Sequence, residues 1–289
     1  MRVAVTGAGG FVGRAVVSAL VAAGHDVVGV TRSRPVAGPV ETRTASLERP
    51  DQVSAALRDV DAVCHLAAVV RVRESRADPL GTWRTNVGGT LAVLDALRPG
   101  ARIVLASTAA LGRSGRPPAH PYGASKLAAE VAVRDVAAAG TVGAVSLRFA
   151  NVAGPGDTDR TRLLPAVLAA AAGGGEFVVN GDGSAVRDLV HVADAADAVV
   201  AALAVATPGT YRALPIGSGQ PVTVREVLDA VARVTGRVVP ARHREGAPEA
   251  PVVTVDPAPA RDELGWTARR STIDRIVRDA WTPRTPPPS

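Results

Sequence analysis

Val3-Ala4-Val5-Thr6-Gly7-Ala8-Gly9-Gly10-Phe11-Val12-Gly13 is the stretch that decides the fold. Val3 to Thr6 form an apolar, β-branched run that reads as a strand buried on both faces. The glycines at 7, 10 and 13 then have separate uses. Gly7 permits a tight turn, Gly10 lets backbone approach a pyrophosphate, and Gly13 allows the following helix to pack closely on the strand. The first turn of that helix presents free N–H groups to phosphate. Strand, glycine loop, helix and second strand in this order predict a dinucleotide site.

The second strand ends in Val30-Thr31-Arg32-Ser33-Arg34. A carboxylate there would take the ribose hydroxyls of NAD, whereas arginine favours the extra phosphate of NADP. With two arginines and no acid, NADP(H) is the expected cofactor and NAD(H) the alternative.

Working outward, further short apolar runs fall at 26–30, 62–66, 102–106 and 145–149, and helical spacing at 11–23, 51–57, 80–97 and 122–138. Such alternation predicts an α/β fold with a doubly wound parallel sheet covered on both faces. Beyond residue 150 Pro and Gly interrupt the pattern, with helices expected at 163–172, 194–204, 224–235 and 272–280. The expected organisation is a dinucleotide-binding domain over 1–150 with a returning segment near 186–205. A smaller substrate lobe is expected over 151–185 and 206–281, and a disordered tail over 282–289.

Composition removes several classes. The 289 residues are 47% hydrophobic and 21% charged, with a formal charge of +6, which suits a globular chain. The basic residues are spread among acids, and aromatics make up only 3%, too few for base-stacking platforms, so nucleic acid is not an expected partner. No apolar run reaches bilayer length, and a strand at the N-terminus is not the pattern of a signal peptide. One cysteine, Cys64, excludes an internal disulfide framework, and no Cys/His spacing suggests a metal. A reducing cytoplasm is the expected location.

The basic residues number 33, and Lys126 is the only lysine. It follows Tyr122 by four residues on the helix expected over 122–138, and i,i+4 residues share a face. A free tyrosine titrates near ~10 and is a poor base at neutral pH; a neighbouring ammonium favours its phenolate. Ser107 falls at the C-terminal end of a predicted strand, the edge where α/β sheets bind ligands. Ser107, Tyr122 and Lys126, in this order after a glycine loop, point to proton transfer coupled to a nicotinamide.

These segments resemble the extended short-chain dehydrogenase/reductase family of nucleotide-sugar epimerases, dehydratases and ketoreductases. The likeness is carried by Thr6-Gly7-x-x-Gly10-x-x-Gly13, Asp61-Ala62-Val63-Cys64-His65-Leu66-Ala67-Ala68, Asn86-Val87-x-Gly89-Thr90, Ser107-Thr108, Tyr122-x-x-x-Lys126, Arg148-Phe149-x-Asn151-Val152-x-Gly154-Pro155-Gly156, Gly181-Asp182-Gly183-x-x-x-Arg187-Asp188-x-Val190-His191 and Glu263-Leu264-Gly265-Trp266. It implies a Rossmann-type sheet with a C-terminal substrate-binding lobe. Tyr122 would be the acid/base, Lys126 would also hold the nicotinamide ribose, and Ser107, helped by Thr108, would orient the substrate oxygen. Cofactor contacts would come from Gly7, Gly10, Phe11, Val12, Gly13, Thr31, Arg32, Arg34, Leu47, Leu66, Ala67, Ala68 and Asn86. Asn151 would lie near the substrate, and Arg187, with Arg244 behind it, near its diphosphate. A homodimer through the apolar faces of 80–97 and 122–138 is also implied.

Departures narrow the activity. Ala109-Ala110 follow Thr108 where dehydratases of this group carry an Asp-Glu pair, so water elimination is not expected. The segment 112–121 is short, Ser46 stands where an acid often faces adenine, and Gly246-Ala247 replaces a common Gly-Asp. The leading expectation is an NADPH-dependent ketoreductase acting at C4 of a nucleotide-linked sugar. The alternative is a nucleotide-sugar 4-epimerase that retains its cofactor; a small-ketone reductase and a non-catalytic NADP sensor stand behind both. His191 is expected as packed core, and Asp194 as the cap of the following helix.

Overall fold

The computed structural model describes residues 1–33, 36, 38, 40–111, 118–245 and 250–281. Arg34, the tail 282–289 and Gly246-Ala247, on which some of the expectations above fall, lie outside them, as does most of 112–121. The chain divides into two units: Met1–Phe149, Ala195–Ile216 and Ala258–Trp266 form the first, and Ala150–Asp194, Gly217–Pro257 and Thr267–Ser289 the second.

Unit 1 is built on seven strands whose pairings are all parallel. They are β1 (Arg2–Thr6), β2 (Asp26–Thr31), β3 (Glu41–Thr44), β4 (Ala62–His65), β5 (Arg102–Thr108), β6 (Gly143–Phe149) and, after four short strands of unit 2, β11 (Tyr211–Ile216). Their order is β11-β6-β5-β4-β1-β2-β3. Val3, Val5, Val63, Ile103, Val104 and Leu147 are wholly buried, as a parallel sheet covered on both faces requires. The helices are α1 (Phe11–Ala22), α2 (Pro50–Leu57), α3 (Val72–Ala77), α4 (Pro79–Trp83), α5 (Gly89–Ala96) and α6 (Pro121–Ala138).

Three features depart from the sequence reading. β3 was not expected. Its residues Glu41-Thr42-Arg43-Thr44 carry no apolar pattern; Arg43 instead pairs with Glu41 at 2.7 Å and Asp59 at 2.5 Å. The helix expected over 80–97 is α4, a π-helical turn at Arg84–Gly88, and α5. The segments that return to unit 1 are Ala195–Ile216 and Ala258–Trp266, because the Tyr211–Ile216 strand completes the main sheet.

Unit 2 holds β7 (Asn151–Ala153), β8 (Phe177–Asn180), β9 (Val186–Arg187), β10 (Leu189–His191), β12 (Val222–Thr223), β13 (Ala241–Arg244) and β14 (Val252–Val253) in small sheets. Its helices are α7 (Leu163–Ala171), α9 (Val224–Thr235) and α11 (Ile273–Ala280). Leu164, Val167, Val227, Val231, Ile276 and Val277 form its core. Helix α9 starts on a capping box between Thr223 and Glu226 and stops at Gly236 in the left-handed region. The remaining helices are α8 (Val192–Val205), in unit 1 from Ala195 onward, and α10 (Ala258–Leu264) of unit 1. Asp194 does not cap α8. It lies in the first turn, where its carboxylate accepts from Arg270 N at 2.7 Å and Ser271 Oγ at 2.7 Å and pairs with Arg270 Nη1 at 2.9 Å. Those partners are more than seventy residues away, beyond any local pattern. His191 is buried, with Nδ1 accepting from Ala193 N at 3.0 Å.

Candidate active site

The glycine loop joins β1 to α1. Gly7 has φ of +71°, and a Cβ there would lie 2.9 Å from Ala67 N. A Cβ at Gly13 would collide with the Gly7 carbonyl oxygen. Gly10 N donates to Gly7 O at 2.9 Å, and Gly10 caps α1 without a side chain. Phe11 and Val12 begin α1, half-buried. A cradle with no room for a Cβ at Gly7 or Gly13, ending at an uncapped helix N-terminus, fits the pyrophosphate of a dinucleotide. Thr31 is buried at the end of β2, and Arg32 beside it is exposed. Leu47 packs against Gly89, where a Cβ would stand 2.8 Å from the leucine's own.

A buried chain of hydrogen bonds runs from this loop toward α6. Thr6 Oγ1 accepts from Leu66 N and Ala67 N, each at 3.2 Å. With both lone pairs used, its proton points to His65 Nδ1 at 2.8 Å. His65 is therefore the neutral tautomer carrying its proton on Nε2, which donates to Thr90 Oγ1 at 3.2 Å; Thr90 Oγ1 donates in turn to Asn86 O at 2.6 Å. Asn86 lies in the π-helical turn. Its Oδ1 accepts from Val69 N at 2.7 Å, and its Nδ2 donates to Val69 O at 3.0 Å and Ser125 Oγ at 2.9 Å. Ser125 Oγ donates to Tyr122 O at 2.9 Å. The π-turn thus puts Asn86 between the loop after β4 and α6. Ala68, next to Val69, is half-buried.

Helix α6 carries Tyr122 and Lys126 one turn apart and packs on β5, whose last two residues are Ser107 and Thr108. Ser107 is 5% exposed, and its Oγ has no hydrogen-bond partner among the described residues. A buried hydroxyl normally finds a partner, so this oxygen is left available for one. Thr108 Oγ1 accepts from Ala110 N at 3.2 Å. Lys126 is 3% exposed. Burial pushes its ammonium down to about 8, with the Glu130 carboxylate opposing. Glu130 is held by Arg148, with Nη2 at 2.6 Å and Nε at 3.1 Å from its oxygens. Burial, with the charge of Lys126 behind it, drives His65 down to about 3. Burial alone pushes the Cys64 thiol up to about 12.

Unit 2 carries the other residues singled out from sequence. Asn151 begins β7 and is exposed, its N donating to Asp188 O at 3.0 Å. Arg187 is buried, donating to Val186 O at 2.7 Å and Ala250 O at 3.0 Å. Arg244 is exposed on β13, its Nη2 donating to Asn180 Oδ1 at 2.7 Å. Arg187 and Arg244 belong to different small sheets. Sequence reasoning assigned no role to Thr6, His65, Thr90, Ser125, Glu130 or His120. His65 and Thr90 stood inside quoted motifs, yet only their partners across the fold disclose what they do. No group of three or more His, Cys, Asp or Glu among the described residues could hold a metal ion, and no helix among them is long and apolar enough to cross a membrane.

The glycine cradle, the C-terminal edge of a parallel sheet and the Ser107, Tyr122 and Lys126 set define an extended short-chain dehydrogenase/reductase. Residues 3–217 match the model of the NAD dependent epimerase/dehydratase family, and the chain belongs to that family. It is 34% identical over 316 residues to a UDP-glucose 4-epimerase of Corynebacterium glutamicum, covering 97% of this chain and 95% of that protein. It is 36% identical over 312 residues to one of Streptomyces lividans, covering 96% and 94%. The structure of UDP-glucose 4-epimerase from Brucella ovis in complex with NAD superposes with a TM-score of 0.87 at 30% identity, over 96% of this chain and 97% of that one. Both sequence alignments are longer than this 289-residue chain, so the two relatives carry segments that it lacks.

Proposed function

We propose that the protein inverts C4 of a nucleotide-linked hexose, a UDP-hexose first, and keeps its nicotinamide dinucleotide through the cycle. The supporting observation is likeness to 4-epimerases along nearly the whole chain, joined to an intact Ser107, Tyr122 and Lys126 set. The same likeness favours this reading over the ketoreductase that the arginines after β2 first suggested.

Bound nicotinamide supplies the reversible two-electron acceptor that such an inversion needs. Gly7, Gly10 and Gly13 would hold its pyrophosphate, and Asn86 and Lys126 would border its nicotinamide end. The Tyr122 phenolate takes the proton from the C4 hydroxyl as the carbinol gives up its C4 hydride and becomes a carbonyl, and it returns that proton to the C4 oxygen once the keto sugar has turned its other face to the returning hydride. Ser107 Oγ donates to the C4 oxygen, and the Lys126 ammonium keeps the phenol acidic. Asn151, Arg187 and Arg244 would serve the sugar and its diphosphate. At the end of β2, Arg32 and the missing carboxylate support acceptance of NADP as well as NAD.

Leu80 and Trp83 on α4, Leu91 on α5, and Leu127 and Val131 on α6 are exposed apolar side chains, which supports a homodimer through these helices. The cytoplasm suits such a chain.

Incubation with UDP-galactose should yield UDP-glucose without added cofactor, and bound nicotinamide should survive dialysis. Tyr122→Phe should lower turnover by at least ~10²-fold, the scale of general acid–base catalysis. Net consumption of NADPH with a keto sugar, and no interconversion, would restore the ketoreductase.

A further inference from the structure

Helix α6 begins in an unusual way. Its N-cap is His120, in extended backbone with φ of −157° and ψ of 157°. The usual caps are Ser, Thr, Asp and Asn, whose oxygens accept from the free N–H groups of the first turn. Here an imidazole nitrogen does so: Gly123 N donates to His120 Nδ1 at 3.0 Å. A nitrogen that accepts carries no proton, so the capping form of His120 is neutral, with its hydrogen on Nε2.

The same ring lies against the catalytic phenol. The His120 and Tyr122 rings stack with centroids 5.9 Å apart and planes 14° from parallel. The helix start is also confined. A Cβ on Gly123 would meet the Ala110 carbonyl oxygen and come within 3.2 Å of His120 Cε1. One imidazole thus braces the cap of α6 and the Tyr122 ring, while Gly123, held by it, stands close to the Ala110 carbonyl, and Ala110 is tied to Thr108.

We propose that His120 is a positioning residue for Tyr122, and that its protonation undoes the brace. This rests on Tyr122 being the acid/base. A proton on Nδ1 would turn an acceptor into a donor facing the Gly123 N–H. It would also set a cation at the positive end of the α6 dipole. The groups around it make that state worse. Arg76 on α3 is a further positive charge, and it and burial both hold His120 below the ordinary histidine range, burial being the larger cause. Lys126 is the next cation along α6, and α4, which also packs on α6, has no charged side chain. Tyr122 is the titratable group in stacking contact.

Three variants compared over pH 5–9 test this. Native kcat should fall on the acid side with a midpoint below ~6.5, the unperturbed histidine value. His120→Asn keeps a strong cap that does not titrate; it should retain most of the rate at pH 8 and lose the His120 part of the acid fall, leaving the shallower fall of the Tyr122 base alone. His120→Ala removes cap and stack together. It should lower kcat about tenfold at pH 8, the rate equivalent of one lost cap, and approach the native rate at acid pH, with KM for the sugar nearly native. An acid fall in His120→Asn that superimposes on the native one overturns the proposal, as does native kcat at pH 8 in His120→Ala. Tyr122→Phe, run alongside, separates the two layers. If it is inactive while His120→Asn keeps the full native acid fall, only the role of His120 is lost. If it turns over at the native rate, the acid/base reading and the proposal fall together.

Discussion

Replacing Lys126 with methionine should make the apoprotein more stable while destroying its activity. The side chain is buried, and its ammonium titrates at about 8 instead of 10.5. Holding the charge inside the fold at neutral pH therefore costs about 3 kcal/mol, at ~1.4 kcal/mol for each pH unit between the two values. Methionine has a similar length and no charge. Glu130, the partner left behind, keeps its forked pairing with Arg148. The gain expected for Lys126→Met at pH 7 is about 1–3 kcal/mol.

The pH dependence gives a sharper signature. Above pH 8 the native state sheds the Lys126 proton while the unfolded chain keeps it to about 10.5, so native stability should rise by ~1.4 kcal/mol between pH 8 and 9. From pH 9.0 an opposing group enters. The unfolded Cys64 thiol ionises there, but burial holds the folded one to about 12, which removes ~1.4 kcal/mol per pH unit. Native stability should thus rise to pH 9, level off to about 10.5 and then fall. Burial also holds Tyr211 above the ordinary tyrosine range, which steepens that fall. Lys126→Met should be flat to pH 9 and fall directly afterwards. The assay is urea unfolding of the stripped apoprotein followed by tryptophan fluorescence; Trp83 and Trp266 report on unit 1. Loss of stability in Lys126→Met at pH 7, or a native curve that does not rise between pH 8 and 9, would refute the reasoning.

The acid side should be governed by His65. Its folded value of about 3 lies below the ordinary 6.5, so its contribution is complete above pH 6.5 and is lost as pH falls, at ~1.4 kcal/mol per unit down to about 3. Urea unfolding of His65→Gln between pH 6.5 and 5 should show a slope shallower by that amount; an unchanged slope would show that His65 protonates freely in the fold. Gly13→Ala drives a methyl group into the Gly7 carbonyl and should cost about 1–3 kcal/mol of stability together with most cofactor affinity, read by calorimetry of both. Arg32→Ala should weaken NADP binding more than NAD binding, since the guanidinium has only the extra phosphate to grip; equal losses for the two cofactors would count against that role.

What was legible in the sequence is what depends on neighbours in the chain. The glycine spacing of 7, 10 and 13 is a local constraint on turn and helix start. The four-residue separation of Tyr122 and Lys126 is a helical period. β3 was missed because Glu41-Thr42-Arg43-Thr44 carries no apolar alternation and is fixed by pairing with β2 and by ions. The break at Arg84–Gly88 was missed because Thr82-Trp83-Arg84-Thr85-Asn86-Val87 reads as unbroken helix. Asn86 faces Val69 and Ser125, partners seventeen and thirty-nine residues away. Arg187 reads from the motif as a residue for the substrate diphosphate, but its spacing could not show that it is 7% exposed and donates to a carbonyl sixty-three residues on.

The same distinction explains why one lysine persists among 32 arginines. An arginine at 126 would remain charged at any working pH, so no rise in pH could relieve the cost of burying it. It would also bring five donors in a rigid fork to a place where Glu130, the carboxylate acting on residue 126, is already engaged by the fork of Arg148. Nor can His65 lend an acceptor. Its Nδ1 is taken by Thr6, and its Nε2 carries the proton given to Thr90. A compact ammonium needs fewer partners and titrates within reach of neutrality. Position 126 accepts a charge near a histidine that burial keeps neutral and a glutamate already paired with Arg148, and lysine is the cation that fits both conditions.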